Sequence, residues 1–339
     1  MTARAPLTAG KASVAAPANI AFIKYWGARD LAEALPANAS ISMTLSACLS
    51  HSTVAARPEP GPDEVLLASP GGALAPAPAG FSRRVVGHLD VLRRSTGFAG
   101  SFRVATVNSF PASAGLASSA SGFAALAVAA LESLGLELPA GELSALARAS
   151  GSASAARSVL GGFVELPAGL EARAGAHVLY PAEHWSLCDV IALIETGEKE
   201  VSSLEGHRRA PTSPYFERRL EQLPEKLARV RSALAARDLE ALGPLIEEEA
   251  IDLHLIAMSS RPGIFYWAPA TLVVLAELRA LRAAGIGAWG TMDAGPNVHV
   301  ICEPRDAAVV ADRLASLPGV RSILSDGVGS GPAPAADLF

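Results

Sequence analysis

Two rhythms of apolar positions run along the chain. Phe81, Val85, Leu89 and Leu92 recur at spacings of three and four, which predicts an amphipathic helix over 81–95. Unbroken apolar runs predict strands instead: one from Ile20 to Trp26, closed by Gly27, and one from Ile41 to Leu45, with Leu35-Pro36-Ala37-Asn38 turning between them. Clusters of Pro and Gly make 57–80 a loop or hairpin margin. A strand over 102–107 leads through small polar residues into an apolar helix over 118–133. A helix over about 140–150, another from near Ser152 to before Gly161-Gly162, and a strand over 163–166 follow. Beyond these the pattern gives a strand at 189–194, then a helix opened by Ser213 as N-cap with Pro214 behind it and running to about 235. Helices at 237–258 and 267–284, strands at 286–292 and 297–302, a helix at 305–316 and a strand at 320–324 complete the pattern. Residues 1–11 read as a frayed leader and the tail from Gly327 as flexible. No internal repeat is visible. Strands and helices mix without strict βαβ alternation, so the fold class is α+β. Pro167, Gly169 and Pro181 mark a compositional shift, which divides the chain into 1–182 and 183–339.

Composition sharpens this picture. At 339 residues the chain is long enough for two domains with a sizeable core. Half of it is hydrophobic but only 5% is aromatic, so the core is built from small side chains and close helix packing. A net charge of −5 argues against a nucleic-acid coat or a polybasic membrane surface. The longest strongly apolar stretch, Phe123 to Leu131, is about half of the ~20 residues a membrane span needs. The first residues lack the apolar centre of a secretory signal. Cys48, Cys188 and Cys302 lie far apart with no metal-binding spacing, which predicts buried apolar thiols and a cytoplasmic location. The seven histidines do not cluster, and none is assigned to a metal.

Four stretches carry candidate chemistry. From Asn108 to Gly122 a strand passes through Ser, Ala and Gly into a helix. A helix N-terminus presents unpaired N–H groups and the positive end of its dipole, so it attracts phosphate, and small residues let the backbone approach a ligand. Ser118, Ser119 and Ser121 add hydroxyls, but no Gly-Lys-Ser/Thr makes this a Walker A loop. A Ser-capped strand-to-helix turn fits the same residues. In the second stretch Ser152 and Ser154 precede Arg157 by about a turn, pairing anion donors with a guanidinium that grips a carboxylate through two bonds. An N-cap followed by a surface Arg is equally compatible. Asp293 stands at a strand end before Ala294-Gly295-Pro296, an acid on a rigid turn or simply a turn residue. Last, Lys24-Tyr25-Trp26-Gly27 puts a lysine beside two aromatics. Buried, that lysine needs a partner; at a sheet margin it needs none.

Taken together these stretches are more specific than any one of them. Ala18-Asn19-Ile20-Ala21 through Lys24-Tyr25-Trp26-Gly27, Leu35-Pro36 and Ser40-Ile41-Ser42 is similar to the opening signature of the ATP-dependent mevalonate diphosphate decarboxylases. That family lies within the galactokinase/homoserine kinase/mevalonate kinase superfamily. Phe110-Pro111 through Gly115-Leu116-Ala117-Ser118-Ser119-Ala120-Ser121-Gly122 resembles its phosphate loop. Ser152 to Arg157 with Gly161-Gly162-Phe163 resembles its substrate stretch, and Met292-Asp293-Ala294-Gly295-Pro296-Asn297 the turn with its catalytic acid. The resemblance runs in order from about 12 to 331.

It implies a two-lobed, small-molecule-kinase-like fold: an N-terminal lobe like ribosomal protein S5 domain 2, a ferredoxin-like C-terminal lobe, and a cleft between them. It also implies ATP and Mg2+, a homodimer, and a 5-phosphorylated mevalonate as substrate, with neither nucleic acid nor membrane as partner. By resemblance, Asp293 is the acid beside the substrate's 3-hydroxyl, Lys24 its neighbouring cation and Arg157 the grip on the carboxylate. Pro111, Gly115, Leu116, Ala117, Ser118, Ser119 and Ser121 would line ATP. Tyr25, Ser152, Ser154 and Ser203 would serve the substrate, and no magnesium ligand is assigned. The presence of both Lys24 and Asp293 favours decarboxylation over its rivals, a kinase that stops after phosphorylation and a ligand sensor built on a kinase fold. The chain departs from the family pattern at Ala28, where a second lysine is usual, and at Leu204, where bacterial members often carry arginine. By resemblance the expected substrate is mevalonate 5-diphosphate, decarboxylated to isopentenyl diphosphate; those losses make mevalonate 5-phosphate the alternative, unless Arg29, His207, Arg208 or Arg209 restores the charge.

Overall fold

A computed structural model of the protein describes residues 7–68, 71–111, 118–149, 152–195 and 200–339. The chain opens with β1 (Lys11–Ile23), the short pair β2 (Ala28–Asp30) and β3 (Leu35–Pro36), and the long β4 (Ser40–Arg57). Next come β5 (Glu64–Ala68), β6 (Ala75–Pro76), α1 (Ala79–Thr96), β7 (Ser101–Asn108), α2 (Ser118–Ser133), α3 (Ala140–Arg148), α4 (Ala155–Ser158), β8 (Phe163–Leu166) and β9 (His177–Tyr180). Among the described residues these build one large sheet in the order β14-β1-β4-β7-β5-β6, with β8 on β4 and β9 on β8; β14 (Ala333–Pro334) comes from the far end of the chain. Antiparallel pairing dominates, and β5 runs parallel to β7.

The second lobe contains β10 (Cys188–Leu193), α5 (Ser203–Arg209), α6 (Phe216–Ala236), α7 (Leu239–Ser259), α8 (Pro269–Ala283), β11 (Ala288–Thr291), β12 (Val298–Cys302), α9 (Pro304–Ala315) and β13 (Ser322–Gly327). Its antiparallel sheet runs β11-β12-β10-β13. Apolar layers hold the two lobes, and a further cluster joins Trp26 to Phe216, Leu253 and Tyr266. Val14, Val54, Phe102 and Val104 pack under α1–α4, where Ala124, Ala127 and Ala130 of α2 bring helix and sheet close. On the opposite side Ile20, Phe22, Ile41 and Met43 meet Leu227 and Val230 of α6, Leu242 and Ile246 of α7, and Ile191 and Ile301 of the small sheet. The outer face of that small sheet, with Val190 and Val300, is covered by Val274 and Leu278 of α8 and Val310 of α9.

The structure corrects several expectations. The residues after Gly327 are ordered: β14 pairs with β1, and Gly329 lies so close to Leu45 that a Cβ would fall 2.0 Å from the Leu45 carbonyl oxygen. Ser213 does not cap α6; its hydroxyl bonds Ser259 at 2.8 Å and accepts the Tyr215 N–H, and the helix starts at Phe216. The helix expected from Ser152 is a single turn, Ala155–Ser158. Of the two readings of 57–80, loop or hairpin margin, the hairpin holds where β5 pairs antiparallel with β6. Among the described residues no helix is long and apolar enough to cross a membrane.

Candidate active site

Pairing of β1 with β4 stops at Ile23, so the chain leaves the sheet at Lys24. Gly27 takes φ +91°, a left-handed conformation, and a Cβ there would meet the Phe216 ring at 2.5 Å. This turn holds Lys24 in the interior with 1% of its side chain exposed. Its partner is Asp293, on the turn between β11 and β12: Lys24 Nζ donates to Asp293 Oδ1 at 2.9 Å. Burial pushes the Asp293 carboxyl up, but the Lys24 ammonium outweighs it, helped by His299 and Arg157, and the carboxyl sits below its ordinary range. The acid is therefore ionised at neutral pH.

Arg157, 1% exposed on α4, donates from Nε to Ser42 at 2.9 Å, from Nη1 to Ser40 and from Nη2 to Asn19 at 3.2 Å. All three acceptors are neutral oxygens. Burial lowers its pKa to about 10, with Asp293 and Tyr25 opposing the shift, so the cation persists without a hydrogen-bonded carboxylate among the described residues. Tyr25 stacks on His207 with ring centroids 4.0 Å apart, and the Gly27 N–H donates to His207 Nδ1 at 3.1 Å. Burial raises the Tyr25 phenol to about 12, with Arg157 and Arg148 opposing, so it stays a donor. Lys24, Tyr25, Ser154, Arg157, Ser203 and Asp293 all line one small cleft. A larger cavity of about 430 Å³ beside Glu137 and Glu142 collects no cation and stands apart from this chemistry.

Other expected residues are distributed differently. Ser152 is half-buried just before α4 and does not line the cleft. Ser118 and Ser119 stand at the start of the 16-residue α2, whose first turn holds no acid that would repel phosphate. Ser121 is turned inward, its hydroxyl 2.7 Å from that of Ser50 and fully buried, so the open hydroxyls are those of Ser118 and Ser119. Pro111 precedes the helix half-buried, while Gly115, Leu116 and Ala117 lie outside the described residues. Sequence reasoning missed Arg84 on α1, which donates to Ser119 Oγ at 3.0 Å and lies over the Phe123 ring. Of the four residues considered as substitutes near Ala28 and Leu204, Arg208 and Arg209 are paired with Glu205 and Arg29 lies against Gly169. His207 alone of these four lines the cleft.

Comparison with known proteins fits this geometry. The pattern of the diphosphomevalonate decarboxylase-like N-terminal domain matches residues 16–177, and that of the mevalonate 5-diphosphate decarboxylase C-terminal domain matches residues 189–330. The chain belongs to the diphosphomevalonate decarboxylase family. A diphosphomevalonate decarboxylase of Ganoderma lucidum is 34% identical over 321 residues, covering 87% of this chain and 79% of the relative. The mevalonate diphosphate decarboxylase of Staphylococcus aureus superposes with a TM-score of 0.88 at 30% identity, covering 96% of this chain and 98% of that one. A further structure, MDDEF in complex with MVAPP, AMPPCP and magnesium, superposes with a TM-score of 0.87 at 34% identity over 96% of this chain and 99% of its own. The two-lobed architecture expected from the sequence is that of the family. The expected diphosphate substrate agrees with a family neighbour that holds MVAPP, whereas the broader partner expectation, a 5-phosphorylated mevalonate with the monophosphate left open, is corrected by it. Tyr25, Ser203 and His207 furnish polar groups on the same wall.

Proposed function

We propose that this chain catalyses ATP-dependent decarboxylation of mevalonate 5-diphosphate to isopentenyl diphosphate, releasing ADP, phosphate and CO2. The observation that carries the reading is the Lys24–Asp293 pair, 2.9 Å apart and facing the same cleft as the buried Arg157. ATP supplies the phosphoryl group that turns the substrate's 3-hydroxyl into a leaving group. Ser118 and Ser119 at the start of α2, with Arg84 beside them, are the residues that would hold its phosphates, and magnesium would come with the nucleotide. Asp293, ionised, takes the hydroxyl proton as that oxygen bonds phosphorus and the bond to ADP breaks. Lys24 keeps Asp293 ionised until then and balances the transferred charge. As the C3–O bond breaks, the C1–C2 electron pair becomes the new double bond and CO2 departs. Arg157 fixes the carboxylate so that this bond is aligned, while Tyr25, Ser154 and Ser203 donate to the rest of the substrate.

We also divide the chain at 182/183, between β9 of the large sheet and β10, the first strand of the small one, with β14 returning to the large sheet. We place the protein in the cytoplasm, on the cysteine usage of the sequence, three thiols far apart along the chain with no disulfide or metal spacing. The deciding experiment incubates the purified protein with MgATP and mevalonate 5-diphosphate and measures ADP, phosphate, CO2 and the alkene product. Equal yields are expected. ADP formed without CO2 would overturn the reading in favour of a kinase.

A further inference from the structure

Lys24 sits where the β1–β4 ladder has ended, so its own peptide groups need partners from elsewhere. Both are met by side chains of the other lobe. The Lys24 N–H donates to Glu249 Oε1 of α7 at 3.1 Å. The Lys24 carbonyl accepts from Arg219 Nη2 of α6 at 2.9 Å and from Asn38 Nδ2 at 2.9 Å. Arg219 is itself bonded to Glu249 and to Asn38. On its far side Glu249 accepts from Lys226 at 3.2 Å, and Lys226 also meets Glu248 and Asp252. Glu249 is fully buried and Arg219 nearly so. Ion pairs at this depth lose much of their attraction to desolvation, and apolar residues of the same volume often stabilise a protein as well. Stability is therefore a weak reason for charges here, whereas an ion pair bonded to both peptide groups of one residue fixes that residue's orientation.

We propose that Glu249 and Arg219 are positioning residues that clamp the Lys24 backbone and thereby hold its ammonium on Asp293. The clamp makes the end of β1 part of the α6–α7 layer, on the same lobe as the acid, so motion between the lobes leaves the Lys24–Asp293 distance unchanged. The inference rests on the functional reading above for its kinetic consequence only.

The test uses the full chain and the variants Glu249→Gln and Arg219→Lys. Asp293 is followed by carboxyl 13C NMR across pH, its signal assigned by its loss in Asp293→Asn. The groups facing it are Lys24 just after β1, Arg157 from α4, His299 from β12 and His254 from α7, the last kept neutral by burial, which pushes it down to about 3. With the clamp loosened the ammonium drifts away, so the Asp293 titration moves to higher pH and the acid limb of the rate profile moves with it. The kcat is expected to fall by about ten- to a hundredfold, with KM for ATP and for mevalonate 5-diphosphate within about threefold. A residue that only stabilises the fold would lower the melting temperature and leave that titration in place. An unchanged Asp293 titration in a folded variant overturns the clamp. If the wild type releases no CO2 the functional reading fails, and the titration still decides the clamp. Should both variants fail to fold, Asn38→Ala removes one donor to the same carbonyl while sparing the ion pair, and is read in the same way.

Discussion

Replacing Asp293 by asparagine changes one oxygen to an amide nitrogen and removes one charge. Asparagine keeps an acceptor for Lys24 Nζ, which lies 2.9 Å from Asp293 Oδ1, so the turn and the cleft should persist. The energetic change falls on Lys24, an ammonium 1% exposed that would then face a neutral group. Truncating one partner of a buried ion pair costs about 3–5 kcal/mol. The retained acceptor, and an Asp293 side chain 27% exposed, reduce this to about 1–3 kcal/mol. The melting temperature should drop by about 1–4 °C, which differential scanning calorimetry measures directly. The rate should suffer far more. Removing a general base costs about 10²–10⁴-fold, equivalent to about 2.7–5.4 kcal/mol of barrier. The assay follows ADP release and trapped CO2 at saturating substrates, while calorimetry with a non-hydrolysable ATP analogue checks that nucleotide binding survives. A folded variant that keeps a tenth or more of the wild-type kcat would make Asp293 a turn residue, and the proposed chemistry would be wrong.

Arg157→Lys retains the charge but loses the planar fork bonded to Ser40, Ser42 and Asn19; kcat/KM for mevalonate 5-diphosphate should fall by about a hundredfold in steady-state assays, with little change in KM for ATP. Arg84→Ala should do the reverse, raising KM for ATP by about three- to tenfold and sparing the other substrate, because among the described residues Arg84 meets the site at the start of α2, through Ser119 and Phe123. Asp326 concerns stability. Burial pushes its carboxyl up, but hydrogen bonds from Ser46, Ala47 and Gly327 outweigh this and hold its pKa below the ordinary value. Its contribution is therefore fully present above the unfolded-state pKa and is lost as pH falls through the depressed folded value. Asp326→Asn should lower the melting temperature at neutral pH, and the gap from wild type should close on acidification; a gap independent of pH would refute the linkage.

The sequence shows some elements with unusual clarity and hides others for physical reasons. Helix α2 and strand β8 have the ends the pattern predicts, 118–133 and 163–166, because polar or glycine residues bracket a dense apolar run. The first half of β1 is less legible. Its Ala, Ser and Pro residues carry little alternation, and the strand exists because β4 and β14 pair with it from either side. The tail after Gly327 reads as flexible for the same reason: its order comes from a partner more than 300 residues away, as in Val14 opposite Pro334. At the site, Lys24, Arg157 and Asp293 are legible through the stretches around them. Glu249 is not, since it stands in Glu247-Glu248-Glu249 like any solvated helix face, and only its burial sets it apart. Arg84 is hidden likewise among the polar positions of α1.

Strand β1 contributes Val14 and Ala16 to the layer under α1–α4, and Ala18, Ile20, Phe22 and Ile23 to the layer shared with α6 and α7. A single rigid ribbon thus belongs to two hydrophobic cores at once. Melting either core strips one half of that ribbon and strains its pairing with β4 in the other half, so the free energies of the two lobes are not independent quantities. Equilibrium unfolding should then be cooperative across the cleft, with the slowest-exchanging amides of β1 and β4 reporting one global opening rather than two. The N-terminal lobe cut off near residue 182 would leave Ile20, Phe22, Ile41 and Met43 without their cover, a fragment prone to associate rather than a domain in its own right.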